Sequence, residues 1–145
     1  MKIGIATDHR GIAKKSKIIE YIKKLGYEVI DYGTNSEISV DYPEYAFKIA
    51  KSILKNEIDL GILICATGTG MTIACNRVKG IRCAKVSSVK ESILSKTHNN
   101  ANVISLNNSM PLFKIKLILK KFIETPFSNE ARHIKRIEQI EEYEN

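Results

Sequence analysis

The sequence predicts one α/β domain built on a five-stranded, mostly parallel sheet. Three observations lead to it. Short apolar runs alternate with helix-period segments from one end of the chain to the other. Leu60-Gly61-Ile62-Leu63-Ile64-Cys65 is apolar on both faces, as a central parallel strand is. The chain has 145 residues, 43% hydrophobic and 27% charged, which suffices for one core without disulfides or a structural metal.

Each element follows from its local pattern. Ile3–Thr7 reads as a buried strand, and Ile12–Leu25 has helical spacing that Gly26 ends. Tyr27–Tyr32 is a second strand, followed by the loop Gly33-Thr34-Asn35-Ser36. Pro43 suits the first turn of a helix whose apolar face is Ala46, Ile49, Ala50, Ile53 and Leu54. Leu60–Cys65 is the third strand; a glycine-rich turn and a short helix from Met71 to Arg77 follow. Arg82–Val86 is the fourth strand, with a helix after it up to His98, and Asn102–Leu106 is the fifth. Leu112–Ile123 and Ala131–Tyr143 close the chain as helices, parted at Pro126. No repeat or linker divides residues 1–145, which read as a single domain.

Charge and composition exclude several classes. Lys and Arg number 23 against 16 Asp and Glu, a net charge of +7. Lys14, Lys15, Lys17, Lys23 and Lys24 share a helix with Ile18, Ile19, Ile22 and Leu25 at core spacing. They are expected to form a solvated face, not a nucleic-acid footprint, and the excess charge suits anionic small molecules. No aromatic platform for nucleic acid is evident. No apolar stretch approaches the roughly 18–20 residues that cross a bilayer. Met1 to Asp8 reads as a strand meeting an acid, not as a signal peptide, so the expected compartment is the cytoplasm. Cys65, Cys75 and Cys83 form no C-x-x-C pair and are expected to be free thiols. His9, His98 and His133 are far apart, and no His/Cys pair has ligand spacing, so neither a metal nor a cofactor is expected.

In a parallel sheet, ligands bind outside the carboxyl ends of the strands. The loops there carry Asp8-His9-Arg10-Gly11, Cys65-Ala66-Thr67-Gly68-Thr69-Gly70, Ser87-Ser88 and Asn107-Asn108-Ser109. Cys65 faces a turn rich in free N–H groups and the start of a helix. Such a place binds anions and favours a thiolate, although a buried structural cysteine fits the spacing equally. The turn is not a C-x5-R phosphatase loop, since position 71 is Met71; no lysine follows Gly70 as a P-loop needs, and Ile73 breaks a dinucleotide fingerprint. Asp8 and His9 fit either proton handling or a helix cap beside a surface histidine. His98-Asn99-Asn100-Ala101-Asn102, just before a buried strand, fits a ligand site or a loop bonding its own backbone. Arg132 and Arg136 share a helix face with His133 between them, which fits a phosphate or surface pairing with Glu130 or Glu138.

Taken together, these segments resemble the type B ribose-5-phosphate isomerases and their relatives acting on other sugar phosphates. The resemblance covers nearly the whole chain and rests on six signatures in order. These are Asp8-His9-Arg10-Gly11, Tyr32-Gly33-Thr34, Ser39-Val40-Asp41-Tyr42-Pro43, Ile64-Cys65-Ala66-Thr67-Gly68-Thr69-Gly70-Met71, His98-Asn99-Asn100-Ala101-Asn102, and Arg132-His133 with Arg136. It implies a Rossmann-like three-layer α/β/α sandwich and a homodimer or tetramer with sites at the subunit interface. The helix over 130–143 would then reach the partner subunit. It further implies an aldose–ketose isomerase that uses no metal or nucleotide. Cys65 matches the residue that takes the C2 proton, and His98 the residue that opens the sugar ring, a task given in some members to His9 or to a histidine at the place of His133. Asp8, His9 and Asn99 match substrate ligands. Ala66, Thr67, Gly68, Thr69 and Gly70 match the anion-stabilising turn, and Arg132 and Arg136 match phosphate ligands.

Two positions depart from the pattern. Ala66 stands where most members have glycine, and Ser109 where the family usually carries a phosphate-binding arginine. The expected reaction is ribose 5-phosphate to ribulose 5-phosphate through a cis-enediolate. The alternatives are a hexose 6-phosphate such as allose or galactose 6-phosphate, and a non-catalytic sugar-phosphate-binding subunit.

Overall fold

Strands that are apolar on both faces can be covered only from both sides, and the chain does this with helices. The computed structural model describes residues 1–143. Five strands, β1 (Lys2–Thr7), β2 (Glu28–Asp31), β3 (Leu60–Cys65), β4 (Cys83–Lys85) and β5 (Val103–Asn107), pair in the order β2-β1-β3-β5-β4. All four pairings are parallel. The register sets Thr7 beside Ile64 and Cys65 beside Asn107. Six helices alternate with the strands or follow them: α1 (Ile12–Lys24), α2 (Tyr42–Leu54), α3 (Thr69–Asn76), α4 (Val89–Thr97), α5 (Leu112–Glu124) and α6 (Ala131–Glu142). The predicted three-layer α/β/α arrangement is the one observed.

Strand periodicity divides the core in two. Ile3, Ile5, Ile62, Ile64, Ile104 and Leu106 face α1 and α5, where Ile18, Ile22, Ile118 and Phe122 meet them. Ala6, Leu63, Cys65 and Val103 face α2 and α3, where Ile49, Met71 and Cys75 meet them. Among the described residues, no helix is long and apolar enough to cross a membrane.

Element ends move by a residue or two from their predicted places, and α3 shows why. It starts at Thr69, not at Met71, because Gly68 adopts a left-handed φ of 81° and turns the chain directly from β3 into the helix. The last helix stops at Glu142, with Tyr143 in extended backbone. Of the described residues of α6, only His133 is buried; Ile134 and Ile140 of its apolar stripe are 37% and 58% exposed. Ile137 between them is half-buried, so the chain's own core covers this apolar face only in part.

The lysine-rich face of α1 is solvated only in part, which corrects the expectation. Lys15 is buried, and its Nζ donates to Asp31 Oδ1 at 3.1 Å, to Asn35 Oδ1 at 2.6 Å and to the Thr34 carbonyl. Lys14 Nζ donates to the carbonyls of Asn108 and Met110 at 2.5 and 2.6 Å. Both lysines sit in the first turn of α1, beside loops whose carbonyls have left the strand ladder and need donors. Replacing Lys15 with Met keeps the apolar stem but leaves Asp31 and the Thr34 carbonyl without this donor. Lys15→Met should therefore lose about 2 kcal/mol of stability in urea unfolding. An unchanged midpoint would mean that the backbone bonds between Thr7 and residues 33–34 hold this loop alone.

Candidate active site

At the carboxyl edge of the sheet, β3 ends on Cys65, which is 5% exposed. The Gly68 N–H donates to Cys65 Sγ at 3.1 Å. This bond and the N-terminus of α3 turn backbone N–H groups toward the sulfur. The turn is held from below. The Gly68 carbonyl accepts from Ser105 Oγ at 2.8 Å and Thr72 Oγ1 at 2.7 Å. A Cβ on Gly68 would stand 3.2 Å from the Leu106 backbone as well as at a left-handed φ, so the turn requires glycine. Ala66 is not among the left-handed non-glycine residues, which are Asn56, Asn100 and Asn129 among the described residues, so its methyl is tolerated. Thr67 Oγ1 accepts the Thr69 N–H at 3.2 Å, leaving its own hydroxyl proton free to donate. Thr69 Oγ1 is met by Lys85 Nζ at 2.8 Å. The Tyr42 ring covers Gly70, where an added Cβ would lie 2.5 Å from Tyr42 Cζ.

Asp8 and His9 belong to the same edge, since the Asp8 N–H donates to the Ile64 carbonyl at 3.1 Å, one residue before Cys65. Asp8 does not cap α1. The residue at that cap is Gly11, while Asp8 Oδ1 accepts the Arg10 N–H at 2.9 Å within its own turn. His9 Nδ1 accepts the Val40 N–H at 3.3 Å, which leaves Nε2 as the ring nitrogen that carries a proton when the imidazole is neutral. The Asn108 N–H donates to the Cys65 carbonyl at 2.9 Å, and Ser109 bonds Asn107 Oδ1 at 2.7 Å through both N–H and Oγ.

The remaining predicted residues lie at the opposite edge. His98 caps the C-terminus of α4 and precedes β5, so it sits where β5 begins, whereas Cys65 pairs with Asn107 where β5 ends. The five residues of β5 rise roughly 15 Å between them. His98 stacks on His133 of α6, with ring centroids 4.4 Å apart and planes inclined by 16°. Burial, and then the adjoining His98, push the His133 imidazole below its ordinary value, with Arg132 adding to the effect and Glu130 opposing it. Arg132 Nε donates to Glu130 Oε2 at 2.9 Å, the surface pairing that its spacing allowed, and this holds the Glu130 carboxyl below its usual range. Arg136 lines a cavity of about 540 Å³ with Asn76, Val78, Ile81 and Ile140. An adjoining cavity of about 440 Å³ shares Asn76, Ile81 and Ile140 and reaches Asn99. Among the described residues, no three His, Cys, Asp or Glu side chains gather as a metal-ligand set.

The fold thus separates the predicted residues into two groups: Asp8, His9 and the Cys65–Gly70 turn at one edge, and His98, Asn99, His133 and Arg136 at the other. The structure adds residues that the sequence signals only faintly. Tyr42 is an aromatic side chain at the start of α2 that is still 41% exposed. Arg82 is a charged residue at the start of a strand, and its side chain bonds the carbonyls of Asn99 and Asn100.

An open parallel sheet covered by helices on both faces, with a thiol meeting a glycine-led helix at its carboxyl edge, defines a Rossmann-like α/β protein. The chain belongs to the Ribose/Galactose Isomerase family, whose model matches residues 3–140. It is similar to ribose-5-phosphate isomerase B of Mycobacterium tuberculosis, with 36% identity over 99% of this chain and 90% of that one. Among solved structures, a ribose 5-phosphate isomerase of Thermotoga maritima is 45% identical, with a TM-score of 0.94 over 98% of each chain. Ribose-5-phosphate isomerase B of Mycoplasma genitalium, solved with bound ribulose-5-phosphate, is 39% identical, with a TM-score of 0.93 over 98% of this chain and 95% of that one.

The buried histidine pair generates a pH prediction. His133 binds its proton less readily folded than unfolded, so its contribution to stability is present above its unfolded value and is lost as pH falls through its lower folded value. His133→Phe keeps a ring on His98 and removes this titration. Its melting temperature should fall less than that of the wild type between about pH 7.5 and about pH 5.5. Parallel curves would assign the acid sensitivity to another group.

Proposed function

We propose that the protein is a cytoplasmic homodimer that interconverts ribose 5-phosphate and ribulose 5-phosphate, with Cys65 as the base. The observation that carries this reading is the Gly68 N–H aimed at Cys65 Sγ from the mouth of α3. The family, and the ribulose-5-phosphate held by the Mycoplasma genitalium relative, supply the substrate class.

The chemistry follows from the residue types. His98 accepts the proton of the anomeric hydroxyl as the C1–O4 bond of the furanose breaks, and a proton is returned to O4. Cys65, as thiolate, then removes the C2 proton. The C2–H electron pair forms the C1–C2 double bond, and the former carbonyl oxygen becomes the enediolate oxyanion. Thr67 and the amides of Gly68 and Gly70 receive that charge. The proton goes back to C1, the O2 hydroxyl loses its proton to become the ketone, and the C1 oxygen gains one. Asp8, His9 and Asn99 orient the hydroxyl groups, and Arg132 and Arg136 bind the phosphate.

Residues at opposite edges of one sheet act together if two copies of the chain pair. The carboxyl edge of one copy then meets the amino edge and α6 of the other. The uncovered Ile134 and Ile140 of α6 support this arrangement.

A coupled assay comparing ribose 5-phosphate with allose 6-phosphate tests the substrate, and preference for the hexose would transfer the same chemistry to a longer sugar. Cys65→Ala should abolish turnover while leaving the fold and ligand binding intact. Iodoacetamide should inactivate the wild type, with protection by substrate. Cys75 and Cys83 should react more slowly: all three thiols are buried, but only Cys65 Sγ receives a backbone N–H, the Cys75 thiol meets the Ala46 carbonyl, and the Cys83 thiol is pushed up by its bond with Cys75 and by burial. Retention of more than about a twentieth of wild-type turnover by Cys65→Ala would name another base.

The pairing makes a separate prediction. Loss of either arginine should raise KM about tenfold. A chain carrying Arg132→Ala and Arg136→Ala, mixed with a Cys65→Ala chain, should recover activity from two inactive parents, because one of the two sites in the heterodimer is complete. A verified heterodimer without activity would put base and arginines on the same chain.

A further inference from the structure

We propose that Arg82 is a positioning residue: its guanidinium locks the loop carrying His98 and Asn99 to the helix carrying His133 and Arg136. The proposal rests on the roles proposed above for those residues. Nε donates to the carbonyls of Asn99 and Asn100 at 3.0 and 3.3 Å, and Nη2 donates to Asn100 at 3.0 Å. Nη1 bonds the Glu141 carboxylate, a pair whose side chains are 19% and 30% exposed and so partly shielded from solvent. The backbone of Arg82 is engaged as well. Its N–H donates to Asn102 Oδ1 at 2.8 Å, and its carbonyl accepts the Asn102 N–H at 3.1 Å.

Two features of the fold make this lock necessary. The loop turns through Asn100 at a left-handed φ of 44°, and the carbonyls of Asn99 and Asn100 point out of any ladder. Without a donor, two neighbouring carbonyls would repel and the loop would relax. Helix α6 has the second need, since most of its surface lies off the core. Among the described residues, the bond to Glu141 is the only side-chain hydrogen bond joining α6 to any part of the chain before residue 130. The His98–His133 stack is the other junction of the same two elements. A planar guanidinium reaches two carbonyls and a carboxylate in one geometry, which an ammonium cannot do. Arg82 therefore sets where the imidazole of His98 stands relative to Arg136, although it touches neither the reacting carbons nor the phosphate.

The test uses the full chain, with steady-state kinetics on ribose 5-phosphate and hydrogen–deuterium exchange over residues 98–102 and 131–142. Glu141→Gln keeps an acceptor but loses the charge, which loosens α6 and leaves the loop held, so KM should rise about fivefold while kcat stays within about twofold. Arg82→Met frees both, so KM should rise and kcat fall about tenfold each. Arg82→Lys keeps a charge for Glu141 and loses the fork; it should recover KM and leave kcat low. Exchange over 131–142 should quicken in Glu141→Gln and Arg82→Met. The proposal is overturned if Arg82→Met keeps both constants within about twofold of wild type. It is equally overturned if Glu141→Gln leaves KM and the exchange of α6 unchanged, and that variant decides alone should Arg82→Met not fold. Wild-type protein that fails to turn over ribose 5-phosphate sinks the proposed activity only. In that event the exchange of α6 still judges the lock, upheld if it quickens and overturned if it does not.

Discussion

Parallel hydrogen bonding between β1, β3 and β5 is the constraint on which the rest of the structure depends. Each buried strand must pair its amides on both sides, and parallel pairing points every strand the same way. All chain segments that leave the sheet therefore gather at one edge, and all that enter it gather at the other. Asp8, the Cys65–Gly70 turn and Asn107–Ser109 meet because they follow β1, β3 and β5. Arg82 and His98–Asn102 meet because they precede β4 and β5.

This polarity also divides the chemistry. The leaving edge offers partial positive charge without a cation at the sulfur, in the form of the Gly68 N–H and the start of α3. It suits charge that develops during a reaction, because fixed dipoles need not reorganise when the charge appears. The entering edge and α6 offer imidazoles and guanidinium groups, which suit a charge already present on a ligand, such as a phosphate. Burial and the adjoining His98 hold the stacked His133 imidazole below its ordinary value.

The departures from the family pattern find different explanations. Ala66 is accommodated because the left-handed turn falls on Gly68, two residues later. Ser109 closes a turn on Asn107 Oδ1 and brings no positive charge, while Lys14 is spent on the carbonyls on either side of it. Position 109 itself thus presents no cation; the exposed arginine at this edge is Arg10, and in the proposed site Arg132 and Arg136 carry the phosphate charge.

Much of this was legible in the residues themselves, and the physical reason is periodicity. Doubly apolar runs such as Leu60–Cys65 specify buried strands, and threefold and fourfold spacing in Ile12–Leu25 specifies a packed helix, because burial selects for both. The turn at Gly68 and the free thiols were likewise local, and the six signatures identified the family. Other features depend on which segments meet across the fold, and no local pattern carries that. Lys15 looked solvated until Asp31 and Thr34 were brought over it. Arg82 was an unremarked strand residue until the carbonyls of Asn99 and Asn100 and the carboxylate of Glu141 converged on it. The family resemblance placed Cys65 and His98 in one set of site residues, while the parallel sheet sets them at opposite edges, because the side of a strand on which a loop falls is fixed by strand direction and not by composition.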